Sequence, residues 1–505
     1  MWRRLYLLLL VVRLYFALSP SYLHPDENFQ GPEVVAGQVF DYPVYKTWEF
    51  TTQFPIRSTF PLWLVYGIPM LILRSLWNGI WKDDLPPYVV YWTLRVLMYT
   101  LSFVLEDWAI LELVSKSWHR RIAVLLTASS YVTWTYQTHT FSNAIETLVV
   151  LWSLVLMQRI FENKDRSGAL PCMVLAFLIV LGVFNRITFP AYILVPGIKL
   201  LPHFYRKPLA FLSISFFGLL FTGMVIIFDT SYYHPHVTTW VELFKHPVIT
   251  PLNNFLYNYA PENLAKHGLH PFYQHFVANL PQLLGPAFPL LIFNHRRSTR
   301  LYSAVCALVV LSLFPHQEAR FLIPAVPLIL SSIRLPPRFP RAWIAAWTLF
   351  NLAFGALMGV YHQGGVVPAQ IHVAGSEGIS HVYWWKTYSP PIWLLDGRIR
   401  DIQTTDLMGK PGVDVQAQLL AEISCSTWTK KSTEGVVLVA PASATFLDQF
   451  TSTNTSEILV LEERWRHTSH INLDDLDFGD DGVWGTLARV VGRRGLVMWD
   501  VKRRC

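Results

Sequence analysis

Charged residues are scarce in this chain. Asp, Glu, Lys and Arg make up 15% of its 505 residues, 52% are hydrophobic, and the mean hydropathy is +0.32. A soluble domain averages about 25% charged residues, so this chain lacks the charge to cover a globular surface. The deficit argues against a soluble enzyme and indicates a polytopic α-helical membrane protein.

A continuous basic surface is also missing. The net charge is +7 and the pI is near 9.1, but Lys and Arg fall in short clusters between apolar runs. No basic stripe carries interleaved aromatic residues, so the pattern argues against nucleic-acid binding. Short clusters are typical of the cytosolic loops of a membrane protein.

Four cysteines are too few for a disulfide scaffold. Cys172 and Cys306 fall inside apolar runs, which favours small core residues. Cys425 and Cys505 lie in the polar C-terminal region and can pair if that region is lumenal. The sequence leaves their pairing open.

A cleavable signal peptide is not evident at the N-terminus. Arg13 interrupts the first apolar run, and Ser19-Pro20-Ser21 is a poor cleavage site. We therefore expect an uncleaved first span with the N-terminus in the cytosol.

Apolar runs recur almost to residue 361. The predicted spans are 5–20, 60–77, 87–105, 106–118, 121–138, 144–160, 169–187, 190–202, 208–228, 281–293, 301–315, 321–333 and 342–361. Several, such as 106–118 and 321–333, are shorter than the roughly 20 residues that a straight helix needs to cross.

Basic clusters fall on one side of this arrangement, which the positive-inside rule makes cytosolic. They are Arg3-Arg4, Lys82, His119-Arg120-Arg121, Arg159 with Lys164 and Arg166, Arg206-Lys207, His295-Arg296-Arg297 with Arg300, and Arg334 with Arg338 and Arg341. The other side, lumenal or extracellular, holds the first loop 20–58, residues 140–143, the loop 229–280, residues 315–320 and everything after 361. The alternation requires both 87–105 and 106–118 to be spans.

Apolar runs of spanning length stop near residue 372, which predicts a membrane catalytic domain over 1–371 and a C-terminal lumenal domain over 372–505. Runs at 436–440 and 458–461 predict buried strands of a small α/β domain. An acidic patch is either solvated surface or a divalent-ion site, and a sequon favours N-glycosylation of Asn454. The patch is Asp474, Asp475, Asp477, Asp480 and Asp481.

Histidines are frequent in the loop 229–280. They are His234, His236, His246, His267, His270 and His275. No pair shows the i, i+4 helical spacing with a third ligand that a zinc site prefers. An interfacial loop with scattered histidines is therefore favoured over a metal centre.

Two polar clusters face the predicted lumen. His24-Pro25-Asp26-Glu27-Asn28-Phe29-Gln30 directly follows the first span, and ionisable groups beside a bilayer are costly enough to suggest function. His316, Glu318 and Arg320 lie at a later span boundary, where snorkelling explains the cations equally well.

A transferase in a lumenal compartment draws on a lipid-linked donor, because nucleotide sugars are as a rule missing there. Such a donor needs an apolar groove, cations for its phosphate and a base for the attacking hydroxyl. The two clusters and Lys386, among Trp384, Trp385 and Tyr388, supply these groups.

The HPDE segment 24–27 with Phe29-Gln30 and Pro32-Glu33, followed by 316–321 (HQEARF), resembles the glycosyltransferase family 22 mannosyltransferases of the endoplasmic reticulum, which have the GT-C fold. The segments 141–147, 362–368 and 385–391 resemble a narrower branch, whose members add the fourth mannose to the glycosylphosphatidylinositol (GPI) precursor. The resemblance covers residues 20 to about 395.

The resemblance implies an inverting α-1,2-mannosyltransferase that uses dolichyl-phosphate mannose and a GPI lipid acceptor. It implies Asp26 as the base, with Glu27 orienting the acceptor or supporting Asp26. Arg320 and His316 would hold the donor phosphate, with Lys386 and Arg57 as weaker candidates, while His24, Glu33 and Glu318 would support the site. No metal, nucleotide or other cofactor is required.

Three alternatives remain open. Another lumenal mannosyltransferase, for the third GPI mannose or the N-glycan precursor, shares the HPDE segment. A lipid or solute transporter would carry more ionisable residues within spans and internal repeats; the sequence has few of the former and no evident repeat. A non-catalytic scaffold subunit would tolerate substitution in its polar loops.

Overall fold

The computed structural model describes residues 2–503 except 82, 164, 166, 238, 267, 396, 398–400, 424–434 and 452–457. Its main helices are Trp2–Ala17, Asp26–Phe29, Pro32–Val39, Trp48–Thr51, Phe60–Ile80, Pro87–Leu113, Ser117–Ala128, Tyr131–Trp134, Ser142–Glu162, Ala169–Asn185, Phe189–Arg206, Pro208–Tyr233, Trp240–Lys245, Thr250–Tyr259, Pro261–Ala265, His275–Phe293, Thr299–Ser312, Ala325–Leu330, Pro340–Tyr361, Val366–Gly375, Gly412–Glu422, Asp448–Thr451 and Phe478–Val490.

Among the described residues, six helices are long and apolar enough to cross a membrane, which confirms the polytopic helical class. They are Phe60–Ile80, Pro87–Leu113, Ser142–Glu162, Pro208–Tyr233, His275–Phe293 and Pro340–Tyr361. The predicted span 321–333 is broken, because a 3₁₀ turn at Ala319–Leu322 precedes the short helix Ala325–Leu330.

Trp2–Ala17 and Pro87–Leu113 run antiparallel. Arg95 donates to the carbonyls of Phe16, Ala17 and Ser19 at 3.0–3.2 Å. Further along, Tyr6 donates to Asp107 at 2.7 Å. The helix Pro87–Leu113 therefore begins on the side that holds the first loop, here named the loop face, and ends on the opposite side, near residues 119–121, here named the basic face.

The predicted span 60–77 is wrong as a crossing, because both ends of Phe60–Ile80 lie on the loop face. Arg74 donates to the carbonyl of Val39 at 2.5 Å, and Tyr42 donates to that of Leu85 at 2.5 Å. The helix carries apolar residues together with Trp63, which bonds Gln38 of the first loop. It therefore has the mixed character of an interfacial helix.

The predicted division between 87–105 and 106–118 is also wrong, because Pro87–Leu113 is one continuous helix with a π-helical turn at Ser102–Glu106. This error cancels the previous one. The crossing at 60–77 is lost, and 87–105 merges with 106–118 into one crossing. The number of crossings before residue 119 therefore falls by two, and residues 119–121 still lie opposite the first loop. Lys82, Lys164 and Arg166 lie outside the described residues.

End-to-end contacts fix the direction of the later helices. On the basic face Arg159 pairs with Glu112 at 3.0 Å, and Ser298 bonds Ser332 at 2.9 Å. On the loop face Asn185 donates to the carbonyl of Ser142 at 2.9 Å. The remaining predicted spans keep their alternation.

The spans hold more buried charge than the sequence suggested. Arg13, Glu106 and Asp107 are each at most 2% exposed and share one cluster with Ser102. Each of these charged groups has a partner, and the cluster joins Trp2–Ala17 to Pro87–Leu113. This structural role is sufficient to explain why Arg13, Glu106 and Asp107 are buried.

A five-stranded sheet follows the helices, as the predicted small α/β domain requires. Its strands are β1 Ile379–Trp385, β2 Gln403–Met408, β3 Gly435–Pro441, β4 Leu459–His467 and β5 Leu496–Arg503, in the order β2-β1-β3-β5-β4. β1 is parallel to β2 and β3, while β5 is antiparallel to β3 and β4. The runs predicted at 436–440 and 458–461 correspond to β3 and β4.

The sheet is docked onto the loop face through Gly364 and Gly365. A Cβ on Gly364 would lie 2.3 Å from the carbonyl oxygen of Val360 and 2.4 Å from that of Ser469. A parallel bridge joins His362 to Ile471 beside this contact. Only glycine allows such close backbone approach, which accounts for the paired glycines of segment 362–368. The predicted domain boundary at 371 remains a prediction.

Candidate active site

An ion pair between Asp26 and Arg320 lies at the centre of the loop face. Asp26 begins the short helix Asp26–Phe29, and Arg320 lies on the 3₁₀ turn Ala319–Leu322. One guanidinium nitrogen of Arg320, Nη1, donates to Asp26, and Nε donates to Glu318. The side chains of Asp26 and Arg320 are 20% and 11% exposed, so the pair is partly accessible from the loop face, and the region around it is here named the cleft.

Two histidines flank this pair. His24 Nδ1 lies 3.3 Å from Asp26 Oδ1 and also 3.3 Å from Arg320 Nη1. His316 Nε2 lies 2.9 Å from Glu318 Oε1, and this hydrogen bond raises the pKa of His316 above its ordinary value. His24, Asp26, His316, Glu318 and Arg320 of the two predicted polar clusters therefore meet here, whereas Glu27 does not.

The charges in the cleft are set by Arg320. Burial alone would raise the pKa of Asp26, but the Arg320 guanidinium, helped by His24, holds it well below its usual range. The pKa of Glu318 is likewise lowered: burial opposes the shift, and Arg320 and His316 outweigh it. Both acids are therefore ionised at neutral pH.

A second row of polar groups extends from Asp26. Gln30 Nε2 donates to Asp26 Oδ2 at 2.5 Å and to Glu49 Oε2 at 3.0 Å. Glu49 in turn accepts from Arg57 Nε at 2.9 Å. Arg57 is thus linked to the central pair through two intermediates and does not contact it directly.

Glu27 turns away from the cleft. It is 1% exposed, and its Oε2 lies 2.7 Å from His139 Nδ1. Thr140 donates to the Glu27 carbonyl at 2.6 Å. Burial raises the pKa of Glu27 to about 8, so it is largely protonated at neutral pH.

Glu33 is likewise internal. It is fully buried and accepts from the backbone N–H of Tyr45 at 2.8 Å. Burial raises its pKa to about 8, although backbone groups of Tyr45, Trp393 and Ile392 favour the charged form. Its carboxyl braces the first loop against the turn Ile392–Leu395.

Lys386 lies at the edge of the cleft, on the part that the C-terminal region forms, here named the rim. Its Nζ donates to Asp475 at 3.1 Å, and Asp475 also accepts from Ser443 at 3.0 Å. The ring of Tyr388 lies 6.1 Å from that of His24, measured between centroids. Asp475 is therefore a buried ion-pair partner and not part of a solvated patch.

Arg186 is a cation on the loop face that the sequence analysis missed. It donates to Ser142 Oγ at 2.9 Å, lies 3.4 Å from Glu146 and stacks over Phe321 at 5.3 Å. Its neighbour along Phe321 is Arg320, which stacks on the same ring at 5.8 Å. The sequence did contain a signal for Arg186, because an arginine at the end of a span, on the side opposite the basic clusters, departs from the positive-inside pattern.

Within the described residues, no three His, Cys, Asp or Glu side chains converge as metal ligands. Cys172 and Cys306 are free thiols inside the helical part. Asn454, Cys425, Cys505 and His267 lie outside the described residues, so the sequon and the cysteine pairing stay predictions.

Comparison with known proteins gives a family across most of the chain. Residues 4–395 match the model of the Alg9-like mannosyltransferase family. A protein named GPI mannosyltransferase 4 from Aspergillus oryzae is 52% identical over 100% of this chain and 99% of its own length. Proteins of the same name from Candida albicans and Saccharomyces cerevisiae are each 34% identical, over 95% and 94% of this chain and 96% and 95% of their own lengths.

Among solved structures, ArnT from Cupriavidus metallidurans bound to undecaprenyl phosphate is similar with a TM-score of 0.47 and 12% identity, over 98% of each chain. The sequence matches extend through both polar clusters of the cleft and, for the Aspergillus protein, through the C-terminal sheet. The chain belongs to the Alg9-like mannosyltransferase family.

Proposed function

We propose that this mannosyltransferase adds the fourth mannose, in α-1,2 linkage, to the GPI precursor, with dolichyl-phosphate mannose as donor. The shared name of the relatives, matched over nearly their full lengths, supports the acceptor class. The pairing of Asp26 with Arg320 across the cleft is the observation that carries the chemistry.

Arg320 is proposed to bind the phosphate of the donor. A guanidinium presents a planar fork that matches phosphate oxygens, and a partly buried position strengthens that interaction. Arg186, stacked on the same ring of Phe321, supplies a second positive charge nearby. His316 acts through Glu318, and Arg57 through Glu49 and Gln30.

Asp26 is proposed to be the general base. Its pKa is held low by Arg320 in the unliganded protein, and an acid in that state is a weak base. A phosphate that takes over the Arg320 fork weakens this pairing and raises the pKa of Asp26. Donor binding therefore prepares the base for the acceptor hydroxyl.

One displacement then completes the transfer. The acceptor oxygen attacks the anomeric carbon from the face opposite the phosphate, and its proton passes to Asp26. The carbon–oxygen bond to the phosphate breaks, and dolichyl phosphate leaves with its negative charge next to Arg320. A β-linked donor gives an α-linked product, and the step needs neither a metal nor a nucleotide.

The site is proposed to face the lumen of the endoplasmic reticulum. The basic clusters, including residues 119–121 and 295–297, lie opposite the cleft, and such clusters favour the cytosolic side. Glu27 and Glu33 are proposed to support the first loop, since neither carboxyl reaches the cleft.

The test is transfer by the purified chain from dolichyl-phosphate mannose to GPI intermediates with two, three or four mannoses. We expect elongation of the three-mannose acceptor alone and release of the new sugar by an α-1,2-specific mannosidase. Elongation of a two-mannose acceptor would instead make this a third-mannose enzyme. Lack of transfer to every acceptor, by a folded chain, would contradict the proposal.

A further inference from the structure

A cavity of about 630 Å³ opens on the basic face, across the protein from the Asp26–Arg320 cleft. It lies between the end of Pro87–Leu113, the last turns of Ser142–Glu162, the middle of Phe189–Arg206 and the start of Thr299–Ser312. The proposed mannose transfer makes no use of this space.

Part of the cavity lining is strongly basic. It is formed by Lys116, His119, Lys199, Arg296, Arg297 and Arg300. Among the described lining residues none is Asp or Glu. Burial lowers the pKa of Arg296, and the like charge of Arg334 nearby lowers it further.

Two of these cations have unused donors. Within the described part of the chain, the buried Nε atoms of Arg296 and Arg300 have no hydrogen-bond partner. Arg300 is held in place by the carbonyls of Leu113 and Ser331. Buried, unsatisfied donors cost free energy unless a ligand or water satisfies them.

Another part of the lining is apolar. It is formed by Leu113, Leu154, Met157, Phe161, Pro196 and Leu200. A ligand that satisfies both parts of the lining carries an anionic group together with hydrocarbon. Basic pockets between membrane helices on the cytosolic side bind anionic lipid head groups.

We propose that this cavity binds the phosphate of an anionic ligand, with the headgroup of a membrane phospholipid as the source that the apolar lining residues favour. The assignment to the cytosolic leaflet rests on the sidedness proposed above. A soluble phosphate ester shares the same recognition chemistry and is separated from the lipid by the experiment.

The experiment uses the full chain in phosphatidylcholine nanodiscs, with and without phosphatidic acid. Bound lipid is measured by native mass spectrometry and by the shift in Tm, because a ligand that binds the folded state stabilises it. A parallel titration uses glycerol 3-phosphate, which has the phosphate without the acyl chains.

The informative variant is Lys116→Gln with Lys199→Gln and Arg297→Gln. These side chains line the cavity and are exposed, so their replacement leaves the packing intact. The matched control neutralises Arg206, Arg338 and Arg341, which are exposed on the same face but do not line the cavity. We expect the first triple variant to bind roughly a hundredfold more weakly than the wild type, and the control to bind as tightly as the wild type.

Binding of phosphatidic acid but not glycerol 3-phosphate, lost in the cavity variant alone, would establish a lipid site. Comparable binding of both would establish a phosphate site filled from solution. Equal binding by the wild type and the cavity variant, or loss in the control as well, would overturn the proposal. Mannose transfer, measured on the same samples, tests the proposed function separately.

Discussion

Glu27 and His139 face each other inside the protein, with 2.7 Å between Oε2 and Nδ1, while the adjacent Asp26 faces the cleft and Arg320. Neighbouring acids in one motif thus occupy opposite environments. The pKa of Glu27 is raised to about 8 by burial, and that of Asp26 is held low by Arg320. They are expected to respond differently to the same kind of substitution.

Asp26→Asn is expected to lower mannose transfer by about a thousandfold, because a general base contributes on that order. Glu27→Gln is expected to retain transfer within about threefold, since glutamine resembles the protonated carboxyl that burial already favours. Transfer rate and Tm of both purified variants are the measurements. Equal loss of transfer in the two variants, with unchanged Tm, would contradict this division of roles.

The contribution of Glu27 and Glu33 to stability is expected to fall as the pH rises from about 5.5 to 8. The pKa values of Glu27 and Glu33 are raised to about 8 by burial, from an ordinary value of 4.5. Between these values the unfolded chain releases protons that the folded protein keeps, which costs up to about 1.4 kcal/mol per pH unit and group. The depressed pKa values of Asp26 and Glu318 act only at lower pH.

The measurement is Tm against pH for the wild type and the double variant Glu27→Gln with Glu33→Gln. The double variant is expected to lose much of the slope, because glutamine does not titrate. Titrating groups that contact neither carboxyl contribute equally to both proteins and cancel in the difference, whereas His139 lies 2.7 Å from Glu27 and titrates together with it. Parallel curves would show that these two carboxyls do not carry the effect.

Arg186→Gln is expected to raise the KM for the donor about tenfold or more with a smaller change in kcat. The reason is its position beside Arg320 over Phe321, where it adds positive charge for a phosphate. Lys410→Gln, an exposed change in the C-terminal region, is the control. A KM that stays at the wild-type value would remove Arg186 from the phosphate site.

Gly364→Ala is expected to lower Tm and transfer together. The added methyl would meet backbone oxygens of Val360 and Ser469 at 2.3 and 2.4 Å, and overpacking of this kind typically costs about 1–3 kcal/mol. Gly375→Ala is the matched control, because a Cβ there meets nothing within 4 Å. Equal Tm and equal transfer in the two variants would mean that the contact of the sheet at Gly364 does not position the rim that carries Lys386.

Much of the cleft could be predicted from the sequence. Acids and cations in otherwise apolar surroundings mark His24, Asp26, His316, Glu318 and Arg320, and the positive-inside pattern assigns them to one face. Contacts between distant segments then bring Asp26 and Arg320 together. The strands β3 and β4 were also predictable, because short apolar runs in a polar region have few other uses.

The errors have physical causes. Phe60–Ile80 is long and apolar, so composition alone cannot separate a crossing from an interfacial helix; the contacts of Arg74 and Tyr42 do so. The burial of Glu27 and Glu33 could not be predicted, because it depends on packing against distant segments such as His139 and Trp393, and their supporting roles stay predictions. Arg186 lies outside any motif, and its position near Arg320 depends on the ring of Phe321, on which both arginines stack.

The pairing of Asp26 with Arg320 also sets an order on biosynthesis. The acid emerges early from the ribosome, whereas its cation follows 294 residues later, and the rim that holds Lys386 is completed only by Asp475. A nascent chain therefore passes through most of its synthesis with a carboxylate but no counter-charge. Chains that terminate before residue 320 would lack this cation and would leave Asp26 unpaired beside the bilayer.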